Sequence, residues 1–247
     1  MIISNSKSFI FVHIHKCAGT SIGQALEATC GWNDISIGYT PMSNDYYRAS
    51  LGLNKHSRAH EIRKVVGEET WDSYETVAFV RNPYARTVSF YTWIRKLVRD
   101  EKISRFLPYS LDKRVWQLLP YRLRKRRETF RYSVTKAFLE TRCFSDFIRH
   151  PGFASDYGCQ PQVNFVTDPA SGVPLVDFIG KVERLEEDII GLGKRIGVEP
   201  LIAKRSNVSR SSCPIANFFE SDDDVKFINQ LYAADFEFFN YSTTLND

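Results

Sequence analysis

Ser8 to Ile14 (SFIFVHI) is a short β-branched and aromatic run that breaks at once into His15-Lys16-Cys17-Ala18-Gly19-Thr20-Ser21. The run predicts a buried strand. Beyond the loop, Ile22, Ala25, Leu26 and Thr29 fall at helical spacing, with Gly31 as a stop. The same succession returns twice. Thr76 to Val80 (TVAFV) reads as a second strand, and after Arg81-Asn82 comes Pro83, suited to the first turn of a helix running toward Lys102. Phe178 to Val182 is a third strand, with a helix from Leu185 to Ile196 behind it. Ser57 is placed to cap a helix from Arg58 to Val66 that Gly67 ends. Ser221 with Asp222, Asp223 and Asp224 opens another helix near the end. Strands alternating with helices predict an α/β fold with a central, mostly parallel sheet flanked by helices. A length of 247 residues suits a single domain over 1–247. The span of about 103–165 reads as a helical insertion, and Asn33 to Asn54 as an ordered polar loop.

Composition removes several classes. No apolar run approaches the 18 residues or so of a spanning helix, and the first apolar stretch is too short for a signal peptide. The five cysteines are odd in number and form no CxxC pair, which suits a reducing compartment. A cytoplasmic location is the expectation. The net charge of +4 hides an uneven distribution: residues 95–131 hold 13 basic side chains against four acidic ones. That segment carries +9 and leaves −5 on the remainder. Such a segment steers an anionic partner or is simply a solvated face. Nothing resembles an RNA-binding sheet signature or a zinc finger, so no nucleic-acid partner is expected.

The first loop carries the chemistry. Small residues let backbone N–H groups from Cys17 to Ser21 point into one concavity, and the helix start adds partial positive charge there. Lys16 supplies a full charge, and Thr20 and Ser21 supply hydroxyls. This is not a Walker A loop, because the lysine precedes the glycine instead of following it, which disfavours a magnesium-dependent nucleotide hydrolase. At the second strand's tip stand Arg81 and, eight residues on, Ser89. Two anion cradles at two strand ends suit a ligand with charged groups at both ends of a nucleoside.

FVHIHKCAGTS resembles the 5′-phosphosulfate loop of sulfotransferases that use 3′-phosphoadenosine 5′-phosphosulfate (PAPS), and VAFVRNPYARTVSFY resembles their 3′-phosphate element. KHSRAHEIRKVVG, FIGKVERLEED and LYAADFEFFNYS follow the order of the carbohydrate-type branch, which includes heparan sulfate 2-O-sulfotransferase and bacterial sulfotransferase family 2 proteins. His15 departs from the pattern, since relatives commonly place proline before the lysine. The resemblance implies the sulfotransferase variant of the P-loop architecture. It implies Lys16 as the residue that stabilises the leaving phosphate, with Cys17, Ala18, Gly19, Thr20 and Ser21 as the cradle. Arg81 and Ser89 become the 3′-phosphate ligands, and Asn207 and Ser209 a late loop near the donor.

On that basis PAPS is the expected sulfuryl donor, with no metal. The expected acceptor is a hydroxyl of a carbohydrate or glycoconjugate, anionic if the basic segment binds it. A base must take the hydroxyl proton, and His56 is the candidate, with His60 its competitor. The pair HSRAH lacks a third ligand in register for a metal site. His13 is expected to be a satisfied strand histidine and His150 a loop residue. Two alternatives remain open from the sequence: a nucleotide-dependent kinase or phosphotransferase with an atypical loop, and a non-catalytic anion-binding module. The acceptor's identity and the oligomeric state are not written in these motifs.

Overall fold

A computed structural model describes residues 1–38, 40–100, 132–203 and 213–245. Five strands are formed: β1 (Ile2–Ser4), β2 (Phe9–Val12), β3 (Ile35–Ser36), β4 (Glu75–Val80) and β5 (Phe178–Lys181). The helices of the first hundred residues are α1 (Gly19–Glu27), α2 (Pro41–Leu51), α3 (Ala59–Val66), α4 (Glu68–Ser73) and α5 (Pro83–Asp100). Then follow α6 (Ser133–Glu140), α7 (Phe144–Arg149), α8 (Pro151–Ala154), α9 (Val163–Val166), α10 (Leu185–Arg195), α11 (Asp222–Leu231) and α12 (Ala233–Phe238). The described parts of 1–82, 161–208 and 234–241 make one compact unit, and those of 83–160, 209–233 and 242–247 a second.

The first unit is built on a sheet of order β3-β1-β2-β4-β5. β2 pairs in parallel with β4, and β4 with β5. β1 is antiparallel to both β2 and β3. The sheet is therefore mixed, parallel only across β2, β4 and β5, with β5 at one edge. Alternation along each strand feeds two cores. Phe9, Phe11, Val77 and Phe79 pack with Ile22 and Leu26 of α1 and with Leu185, Ile189 and Leu192 of α10. Ile10, Val12, Ala78 and Val80 pack with Ala59 and Ile62 of α3, Trp71 of α4, and Phe165 and Val166 of α9. Helices thus cover both faces, as the alternating pattern predicts. Gly180 of β5 is required by packing: a Cβ there would sit 2.4 Å from the Phe79 ring.

Two local expectations change. Residues 33–54 are not one loop but contain β3 and α2, the latter opened by Thr40, whose hydroxyl accepts the Ser43 N–H at 3.1 Å. Ser57 does not cap α3; its hydroxyl accepts the Asn54 N–H at 3.0 Å, while Glu61 of α3 accepts the Arg58 N–H at 2.7 Å. His150 is, as expected, a loop residue, in the single-residue connection between α7 and α8, and its Nδ1 accepts the Gly152 N–H at 3.0 Å at the start of α8.

The second unit has an aromatic core, with Tyr91 of α5 against Phe138, Phe144, Phe147 and Phe218. Arg86 is 1% exposed there. Its guanidinium donates to the carbonyls of Gly158 at 2.6 Å and Gln160 at 3.0 Å, so its buried donors have acceptors. The described part of the expected insertion, from residue 132 onward, is helical. Residues 101–131, which hold most of the basic segment, lie outside the described residues. No helix among the described residues is long and apolar enough to cross a membrane.

Candidate active site

β2, β4 and β5 run in the same direction, so the segments that follow them leave the sheet at one edge. β2 and β4 are direct neighbours, with Val12 beside Ala78. The two predicted tips are thereby adjacent: the loop with Lys16 after β2, and Arg81-Asn82 after β4. β5 brings a third tip, the turn Val182–Arg184, to the same edge.

The loop's backbone is unusual. Lys16 has φ 65° and Ala18 φ 53°, both left-handed without being glycine. Such positions strain an L-residue and concentrate at ligand clamps. Left-handed residues spaced by one turn neighbouring N–H groups toward a common side, which is the backbone form of an anion nest. Ala18 is also the N-cap of α1, so the helix start opens into the same concavity. Gly19 lies under the imidazole of His13; a Cβ at Gly19 would fall 2.0 Å from His13 Nε2. Among the predicted cradle residues Ser21 is buried and Thr20 half-buried.

The electrostatics favour a negative visitor. Burial first, and then the Arg81 guanidinium, pull the Lys16 ammonium down to about 8. Burial also lowers Arg81, against the upward pull of Cys17 and Glu183. A guanidinium keeps its charge at neutral pH regardless. Two cations press on one another at the half-buried ends of adjacent strands, and an anion between them would relieve both.

His56 lies beside this loop. Its ring stacks on that of His15, with centroids 3.4 Å apart, and meets His13 edge-on at 4.6 Å. His56 Nδ1 is 2.8 Å from the carbonyl of His13. A carbonyl only accepts, so Nδ1 carries the proton and Nε2 carries the lone pair. Burial is the main cause that holds His56 down to about 3, and Lys55 and Lys16 add to it, so the ring is neutral at neutral pH. His60 stands on α3, and its charge acts on Asp168. His13 is 4% exposed, and its Nδ1 has no hydrogen-bond partner among the described residues. It is not the satisfied strand histidine expected from the sequence, because its ring is wedged against Gly19 with its Nδ1 away from any acceptor.

Two residues that sequence reading missed hold the tips together. Gln162 is fully buried, and its side-chain Oε1 accepts the Arg81 N–H at 2.9 Å and the Cys17 thiol at 3.0 Å. Its Nε2 donates to the Arg81 carbonyl at 2.8 Å and to Asp235 at 3.1 Å. The fully buried Asp235 carboxylate also accepts the N–H groups of Gln162 and Val163, each at 2.9 Å. Glu183 joins the second and third tips, accepting the Asn82 N–H at 2.8 Å and the Tyr241 hydroxyl at 3.0 Å.

Ser89 belongs to α5, in the second unit, and is 7% exposed. Asn207 and Ser209 lie outside the described residues. Among the described residues no group of three or more His, Cys, Asp and Glu side chains is arranged to hold a metal ion.

Comparison with known proteins adds three findings. A family model described as "Sulfotransferase family" matches residues 1–242. A protein of Archaeoglobus fulgidus, described only as an uncharacterized protein, is 26% identical over 149 residues, which cover 60% of this chain and 88% of the relative. No solved structure matches.

Proposed function

Since the chain belongs to the sulfotransferase family, we propose that it moves the sulfuryl group of PAPS to a hydroxyl of a carbohydrate or glycoconjugate. The observation that carries this reading is the adjacency of the Lys16 loop and Arg81 at the carboxyl ends of neighbouring parallel strands. A donor with a phosphosulfate at one end and a 3′-phosphate at the other needs two anion sites a nucleoside apart. The loop N–H groups, Lys16, Thr20 and Ser21 take the first role, in a P-loop-type arrangement. Arg81 takes the second, with Ser89, Asn207 and Ser209 as further donor ligands.

The donor supplies an activated sulfuryl group. His56 Nε2, left with its lone pair by the Nδ1 bond to His13, takes the acceptor's hydroxyl proton as the new S–O bond forms. Lys16 and the loop N–H groups meet the charge that grows on the departing phosphate oxygen as the old S–O bond breaks. The stack on His15 holds the base's ring plane, which contributes positioning. His56 is preferred to His60 as the base because the stack on His15 and the bond to the His13 carbonyl tie it to the loop.

Calorimetry with adenosine 3′,5′-bisphosphate, together with mass-resolved sulfate transfer from PAPS to a glycan panel, tests the reading. Lys16→Ala and Arg81→Ala should each weaken bisphosphate binding by about 10–100-fold, the worth of one charge-assisted bond. His56→Ala should cut turnover by ~10²–10⁴-fold and leave that affinity in place. No affinity for the bisphosphate in the parent protein would overturn the proposal.

A further inference from the structure

The chemistry assigned to Lys16 and Arg81 demands a fixed separation between them, yet they stand on different loops. The β2–β4 ladder fixes the strands only as far as Val12 and Ala78. Lys16 lies four residues beyond the first of these and Arg81 three beyond the second. Something past the ladder has to tie the loops, and one side chain touches both. Gln162 Oε1 takes one hydrogen bond from each side, the Arg81 N–H and the Cys17 thiol, while Nε2 returns a bond to the Arg81 carbonyl.

The amide is oriented by Asp235. Its carboxylate only accepts, so it draws Nε2 toward itself and leaves Oε1 facing the tips. The same carboxylate anchors the Gln162 backbone N–H and that of Val163. Both residues are fully buried, where an unmade hydrogen bond is costly, so the pair holds a single arrangement.

We propose that Gln162, oriented by Asp235, is a positioning residue that sets the spacing of the Lys16 loop and the Arg81 tip, and so selects a ligand anionic at both ends. It touches neither the ligand nor the reacting atoms. This inference rests on the sulfotransferase reading for its ligand, whereas the tie between the loops stands apart from it.

The test uses Gln162→Met, which keeps length and bulk but removes the side chain's amide hydrogen bonds, and Asp235→Asn, which keeps the shape and misorients the amide. Backbone hydrogen exchange read on peptides covering residues 13–20 and 80–83 needs no ligand. Exchange at both tips should rise by about 10-fold or more in Gln162→Met, as befits loss of a buried acceptor, and by less in Asp235→Asn. Calorimetry then compares adenosine 3′,5′-bisphosphate with adenosine 5′-monophosphate, which reaches one tip only. The two-ended ligand should lose about 10-fold or more in affinity, and the one-ended ligand less than about 3-fold. Unchanged exchange at either tip in a folded variant overturns the tie. Equal losses for the two ligands overturn the spacing role. A parent protein that binds neither nucleotide defeats the sulfotransferase reading instead, and the exchange result still decides the tie. Should Gln162→Met fail to fold, Asp235→Asn carries the same two comparisons.

Discussion

Lys16 shows how much a single residue's surroundings decide. Burial and Arg81 bring its ammonium to about 8 in the folded chain. Between that value and the ordinary lysine range, near 10.4, the unfolded chain binds the extra proton and the folded chain does not. The lysine therefore weighs on stability below pH 8 or so, and that burden eases as the pH rises. Anion binding has the opposite sign, because a bound phosphate favours the charged form and draws the proton back. Affinity for adenosine 3′,5′-bisphosphate should hold from pH 6 to 7.5 and fall above about pH 8, with proton uptake on binding. Calorimetry in buffers of different ionisation enthalpy reads that uptake directly. Lys16, Arg81 and His56 were legible because each sits in a local motif. Gln162 and Asp235 were not: they are 73 positions apart in the chain, and their bonds to the tips arise from tertiary packing that leaves no spacing signature.

The elements divide in the same way. β2, β4 and β5 are short, largely apolar runs with helix patterns behind them, and the sequence predicts all three close to their observed limits. β1 has three residues and β3 two, too short for any period to register. α2 is mostly polar and begins among turn formers, so it reads as loop until Thr40 is seen closing its first turn. The loop from β2 to α1 carries a consequence for stability. Ala18 holds φ 53° without being glycine, whereas Gly52, after α2, holds φ 71° with open space where a Cβ would stand. Ala18→Gly should stabilise the chain by about 0.5–1 kcal/mol, and Gly52→Ala should cost about 1 kcal/mol. Denaturant melts of the two variants beside the parent would show the opposite shifts. A destabilised Ala18→Gly would mean that the alanine methyl packs usefully enough to outweigh its backbone strain.

At the scale of the whole molecule, the uneven charge is the feature that the sequence alone displays. Residues 95–131 carry +9 on a chain of net charge +4. If this stretch gathers an anionic acceptor, raising salt from about 0.05 to about 0.3 M should lower kcat/KM several-fold for a uronic-acid glycan and leave a neutral one unmoved. Replacing Arg124, Lys125, Arg126 and Arg127 with alanine should reproduce that loss at low salt while bisphosphate affinity stays constant. An equal salt response from both glycans would assign the segment to another task. The His13 ring fills the room that a side chain at position 19 would need, so neither position is free to drift alone. Homologues that have outgrown glycine at the second site should have traded the imidazole at the first for something smaller, and lineages keeping one should keep the other.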